Sequence, residues 1–166
     1  MPSPERIVIN TSPLIALVAA LGDLTILTSL YTEVLVPFEV CQEILIGGSS
    51  NFAIAEFTDA NWLQKQPNLL NISPLLLNSL DIGEASVIQL ALNENIPTVC
   101  IDESVGRRIA RLSGLSVTGS IGILLRAKQE GYPLSIKQSI QQMINQGIRL
   151  STTVIEFALK QAGENN

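Results

Sequence analysis

The sequence contains no histidine, two cysteines and seven aromatic residues among 166. Cys41 and Cys100 are too few for a disulfide framework, and without histidine they cannot complete a structural zinc site. So few aromatics leave no evident stacking platform for bases. Charge is also scarce, at 15% of residues against roughly 25% in an average domain. The net charge of −5 works against long-range attraction of the whole molecule to nucleic acid, although a local basic patch is compatible with it. No apolar run approaches the roughly 20 residues that span a bilayer. Asp23, Asn71 and Asn78 interrupt the best candidates. The start "MPSPERIVIN" has no basic segment leading into a long apolar core, unlike a signal peptide. A soluble, cytoplasmic protein with reduced thiols is expected.

What is abundant is apolar material, 46% of the chain. In so short a chain it suggests strands buried on both faces, with helices covering a parallel sheet. One domain over residues 1–166 accommodates the length. "RIVIN" (6–10) is a β-branched run ended by a polar residue, as in a buried strand. Ser12 and Pro13 suit the cap and first position of a helix over "PLIALVAAL", which Gly22 ends. Asp23 suits the cap of a second, short helix. "EVLVP" (33–37) reads as a strand and "PFEVCQEIL" as a helix stopped by Gly47-Gly48. Residues 49–58 carry a weak helical signal around "FAIAEF", "NWLQKQ" (61–66) resembles an edge strand, and "PNLLNISPLL" has loop character. A helix starts at Asp81 or Gly83, with Ala85, Ile88 and Leu92 on its apolar stripe and Val87 and Ala91 alongside. "IPTVCID" (96–102) and "LSVTG" read as strands, the second as a core strand. "SVGRRIARLSG" and "SIGILLRAKQEG" read as helices, the latter capped by Ser120. Residues 135–146 and 151–162 form two more helices, the first with apolar Ile136, Ile140, Met143 and Ile144. Alternating strands and helices predict a three-layer α/β/α domain with a mainly parallel sheet.

In such sheets ligands bind outside the carboxyl ends of the strands. Asn10 ends the first strand, Asp102 and Glu103 end the strand at 98–102, and Thr118, Gly119 and Ser120 end the next. Glu84 lies in the first turn of the helix leading into the 98–102 strand. Glu43 lies near the end of the helix after the second strand. A chain poor in charge thus gathers carboxylates on one rim, where they repel one another. A divalent cation removes that penalty, and Mg²⁺ or Mn²⁺ favours such oxygen ligands. Each residue also has a plainer use. Glu84 suits the positive end of its helix, Glu43 a solvated helix surface, Asp102 an N-cap, and Asn10 a turn bonded to its own backbone.

Arg107, Arg108, Arg111, Arg126 and Lys128 fall in the helices after Asp102 and Ser120. Arg107 and Arg111 share a helix face and are suited to an RNA phosphate backbone near the acidic rim. The outer face of two solvated helices accounts for them equally well. "TGSIG" (118–122) lacks the glycine spacing and lysine of a P-loop.

The segments "VINTSPLIAL", "VLVPFEVCQEIL", "LDIGEASVIQLALNENIPTVCIDE", "GRRIARLSGLSVTGSIGILLRAKQEG" and "GIRLSTTVIEFALKQAGE", in this order, resemble the PIN-domain superfamily. The opening strand-turn is similar to that of a bacterial subgroup related to VapC-like toxin ribonucleases. The resemblance implies a PIN α/β/α fold and an Mg²⁺- or Mn²⁺-dependent endoribonuclease acting on single-stranded RNA. It carries the family acids onto Glu43, Glu84 and Asp102, with Glu103 as an additional acid. Ser12 matches the small hydroxyl residue beside the first position. That first position, usually aspartate, is Asn10, which can offer a carbonyl oxygen but no charge. The resemblance further implies a homodimer and an antitoxin partner. The substitution at Asn10 keeps open a catalytically weak PIN module that binds RNA or a protein.

Overall fold

A computed structural model describes residues 5–46 and 52–165. Strand β1 (Arg6–Ile9) lies at the centre of a five-stranded sheet. It is followed by α1 (Thr11–Leu21), α2 (Ile26–Leu30), β2 (Glu33–Val36), α3 (Phe38–Ile46) and α4 (Ile54–Asp59). Then come β3 (Gln64–Lys65), α5 (Pro74–Ser79), α6 (Ile82–Glu94), β4 (Thr98–Cys100) and α7 (Ser104–Leu112). The chain closes with β5 (Ser116–Thr118), α8 (Ser120–Gln129), α9 (Ile136–Asn145) and α10 (Thr152–Ala162).

The strand order is β3-β2-β1-β4-β5 and every pairing is parallel. Val8 pairs with Leu35 on one side and Val99 on the other. Ile7, Val8 and Ile9 are wholly buried, each contributing about 1.5–3 kcal/mol relative to exposure. The flanking helices supply the other half of the core, including Leu14, Leu17, Val40, Val87, Ile88, Ile123 and Leu124. This is the α/β architecture expected from the alternating elements. The order also matters for function. The chain moves outward from β1 through β2 to β3, then returns to place β4 against the free side of β1. The crevice between the carboxyl ends of β1 and β4 is therefore the topological switch point, the usual ligand position in such sheets.

Several local expectations need correction. Helix α1 begins at Thr11, with extended Asn10 rather than Ser12 in the cap position. Pro13 still fits because the first-turn N–H groups have no helical partner to lose. Asp23 does not cap α2. Its Oδ1 instead accepts from Thr25 N at 3.0 Å and Thr25 Oγ1 at 2.8 Å, closing a local turn before the helix. The segment read as loop becomes helical at α5, where Pro74 supplies a pre-set first position. Helix α8 is capped by Gly119 in position, and Ser120 lies inside the helix with its hydroxyl used elsewhere. Strand β5 is a half-exposed sheet edge rather than a core strand. Leu92 and Ile144 are exposed, whereas Ile136, Ile140 and Met143 are buried. The "FAIAEF" signal corresponds to α4. The expected stop at Gly47-Gly48, and residues 49–51, lie outside the described residues.

The C-terminal end is tied back to the body by one carboxylate. Glu164 accepts from Ser135 Oγ and Ile136 N at 2.8 Å and from Lys137 N at 3.2 Å, and pairs with Lys128. Burial opposes its ionisation, but Lys128 and these donors outweigh burial and hold its pKa at about 2. Helices α8, α9 and α10 are thereby joined at one corner. Among the described residues no helix is long and apolar enough to cross a membrane.

Candidate active site

Asn10 and Asp102 leave adjacent strands at the switch point. Asn10 N donates to Cys100 O at 3.0 Å, which extends the β1–β4 pairing by one bond. Its side chain is 6% exposed, makes no cap hydrogen bond, and leaves Oδ1 buried without a partner. A buried acceptor left bare costs about 1–3 kcal/mol, so Asn10 is not explained by the local turn it was suited to. Asp102 is exposed at the mouth of the crevice. Its Oδ1 accepts from Ser120 N at 2.7 Å and its Oδ2 from Ser120 Oγ at 2.9 Å. Asp102 therefore satisfies the first turn of α8, not that of α7, whose cap position is Glu103.

Glu43 lies past the middle of α3 and Glu84 in the first turn of α6. Helix α3 follows the carboxyl end of β2, and α6 begins there because it must run antiparallel to reach β4. Glu43 Oε2 accepts from Thr11 Oγ1 at 2.9 Å, so Thr11, rather than the exposed Ser12, supports a site acid. The other Glu43 oxygen rests on Gly83, where any Cβ would collide with it. Glu84 is 6% exposed, and its Oε2 is buried without a partner against Gly106, the early α7 residue that likewise leaves no room for a Cβ. Two glycines thus make space for two carboxyl groups. Asp81, not singled out from the sequence as a site acid, caps α6 by accepting from Glu84 N at 2.9 Å. Its position three residues before Glu84 at a helix start was the available signal.

Burial first, then Asp81 by hydrogen bond and charge, then Glu103 and Glu43 push the Glu84 carboxyl up to about 8. Burial also raises Glu43, with the Thr11 hydrogen bond opposing and the Asp81 charge assisting. Glu84 therefore faces Asp81, Glu103 and Glu43, while Asp102, at the end of β4, is held by Ser120. Among the described residues no three acids lie close enough together to hold a metal ion by themselves.

The donor set nevertheless suits a hard divalent cation. It is oxygen only, crowded with negative charge, and includes the bare Asn10 Oδ1 and Glu84 Oε2. Mg²⁺ uses few protein carboxylates and keeps several waters, so a loose rim of acids is compatible with it. The remaining bare buried oxygen among the described residues is Glu39 Oε1. That side chain has a separate task, accepting from Leu70 N at 2.8 Å through Oε2.

The basic residues divide clearly. Arg107 donates to Ile101 O at 2.9 Å and borders Gly119 beside Asp102. Arg111 is exposed further along α7 and lines no cavity with Asp102. Arg126 is paired with Glu5 and Glu130, and Lys128 with Glu164, so both already have carboxylate partners. Arg107 thus opens on a groove of about 900 Å³ that also includes Asp102 and Ser120.

The Asn10→Asp variant is expected to bind Mg²⁺ about ten-fold more tightly, since it restores one charge beside the bare oxygen. Calorimetric titration reads this directly. No gain in affinity would place Asn10 away from the cation.

A protein-family model described as DUF3368, PIN domain, matches residues 6–164. No curated protein and no solved structure matches the chain.

Proposed function

The chain belongs to the PIN-domain family DUF3368, and from that membership we propose that it is a divalent-metal-dependent endoribonuclease acting on single-stranded RNA. PIN domains are mostly metal-dependent nucleases and typically use divalent metals. The observation that carries the reading is the pair of bare buried oxygens, Asn10 Oδ1 and Glu84 Oε2, on the edge where acids converge.

When bound, Mg²⁺ or Mn²⁺ supplies an activated water and neutralises charge on the phosphodiester. Glu43, Glu84 and Asp102 would hold it, with Glu103 adding negative charge and Asn10 a neutral oxygen. Thr11 fixes the Glu43 rotamer and Ser120 fixes that of Asp102. Such fixed geometry lowers the reorganisation needed during reaction. Arg107, held by the Ile101 carbonyl, presents positive charge next to Asp102. RNA phosphate beside that guanidinium is anchored close to the acids.

The test is cleavage of a panel of single-stranded RNAs by protein treated with chelator and then supplied with Mn²⁺. Cleavage is expected only after Mn²⁺ is returned. Absence of cleavage, with RNA still bound, favours a second reading, a non-cleaving PIN module, for which uncharged Asn10 is the specific observation. Cleavage that persists in chelator removes the metal-dependent mechanism.

A further inference from the structure

The groove beside Asp102 reaches well beyond the acidic rim. Its near end is formed by Asp102, Arg107 and the start of α8. Its far end is formed by the 147–151 turn and α10, which lies against α8. The walls are apolar, from Ile15, Leu125, Val154 and Phe157. Phe157 is 55% exposed and Val154 38% exposed, so this surface is open rather than packed. The volume of about 900 Å³ lies within the range of small-ligand sites, about 300–1,000 Å³.

Charge along the groove runs against that of the whole molecule. The protein carries a net charge of −5, yet the lining holds Arg107 and Arg149, and Asp102 is its sole carboxylate. Among the described residues Arg149 forms no ion pair. An apolar slot with one exposed aromatic ring, flanked by two guanidinium groups and opening on a phosphodiester site, matches one nucleotide of a single strand. Bases stack on aromatic rings irrespective of sequence, and cations track the adjoining phosphates.

We propose that this groove is the subsite for a nucleotide flanking the cleaved phosphate, with Phe157 stacking on its base and Arg149 contacting its phosphate. The proposal rests on the nuclease reading above. It assigns substrate positioning to the C-terminal helix, which contributes none of the candidate catalytic acids. Stacking of the base on Phe157 also restrains the strand, so its phosphate is held at the Asp102 end of the groove by more than attraction to the guanidinium groups.

The experiment measures Mn²⁺-dependent cleavage of a short single-stranded RNA, and of a series in which each nucleotide near the mapped cut is made abasic. Parent protein, Phe157→Leu and Arg149→Gln are compared, with melting curves for each. Leucine keeps apolar bulk at an exposed position but removes the flat ring. The parent is expected to show about a ten-fold higher KM for one abasic position, with kcat little changed. Phe157→Leu is expected to raise KM for intact RNA by about the same factor and to erase the penalty at that position. Arg149→Gln is expected to raise KM for every RNA and to make it less sensitive to salt. Parent cleavage with unchanged KM in both variants overturns the subsite while leaving the nuclease intact. Dimerisation of the parent that is lost in Phe157→Leu, with no change in KM, assigns the groove to a second copy and also overturns it. A parent that cleaves no RNA removes the nuclease reading and the subsite together.

Discussion

The Glu84→Gln variant is expected to lose at least about 100-fold in Mn²⁺-dependent cleavage while melting at a higher temperature than the parent in chelator at pH 8. The two effects have one cause. Glu84 is 6% exposed and faces Asp81, Glu103 and Glu43, with Gly106 closing the space against it. Its pKa is raised from the ordinary carboxylate value of 4.5 to about 8. Between those values the native state binds a proton that the unfolded chain releases. Stability of the metal-free protein therefore falls as pH rises from about 5 to 8, and the full penalty is present above 8. Glutamine keeps the shape and is neutral throughout, so its curve retains only the smaller slope due to Glu43. The gain at pH 8 is on the order of 4 kcal/mol, or about 8–16 °C in melting temperature for a domain of this size. Under the proposed metal reading Mn²⁺ would stand in for the proton, so adding it is expected to stabilise the parent more than the variant. Melting curves in chelator and in Mn²⁺ across pH 5–8 measure all of this. Identical slopes in the two proteins would show that Glu84 is not the titrating group. Raised carboxylate pKa values cluster at functional sites, and that is the ground on which this rim is proposed as one.

The same physical logic separates what was legible in the sequence from what was not. Strands β1, β2 and β4 were readable because buried parallel strands need continuous β-branched runs. The edge strand expected at 61–66 is present as the two-residue β3, whereas β5, with three residues, is too short for periodicity to show that it lies at the opposite edge rather than in the core. Asn10 and Asp102 were visible as polar residues ending apolar strands. Glu43 and Glu84 had plain helical explanations, and the family resemblance raised them above those. Nothing local announced that Gly83 and Gly106 would receive their carboxyl groups, because that depends on how α3, α6 and α7 pack. Arg107 and Arg126 look alike in the sequence, each early or midway in a helix after a strand. Their fates diverge through Glu5, which is 121 residues from Arg126, and through Glu130, whose helical spacing from Arg126 was readable. The groove was invisible for a related reason. So few aromatics suggested no stacking platform, and only the packing of α10 against α8 sets Phe157 on the groove that Asp102 also lines.

The Asp102→Asn variant is expected to reduce cleavage by at least about 100-fold with a melting temperature within about 2 °C of the parent. The fold should persist because asparagine can reproduce both hydrogen bonds. Its Oδ1 can accept from Ser120 N, now at 2.7 Å, and its Nδ2 can donate to Ser120 Oγ, which as a hydroxyl can reverse its role. The first turn of α8 therefore stays satisfied. What is lost is one negative charge at the switch point, where Asn10 already supplies none. With both strand-end residues neutral, the proposed cation would be left to Glu43, Glu84 and Glu103 alone, and removal of a charge that stabilises a phosphoryl transition state commonly costs two or more orders of magnitude. Asp102→Ala serves as the contrast. It loses the bonds to Ser120 as well as the charge, and is expected to destabilise the protein by about 1–2 kcal/mol. Parallel cleavage assays and thermal melts of the two variants separate the structural role of Asp102 from its role at the cation. Full activity in Asp102→Asn would remove the metal-site assignment at this strand end. Equal destabilisation of both variants would show that the charge itself, rather than the pair of hydrogen bonds, holds α8 against β4.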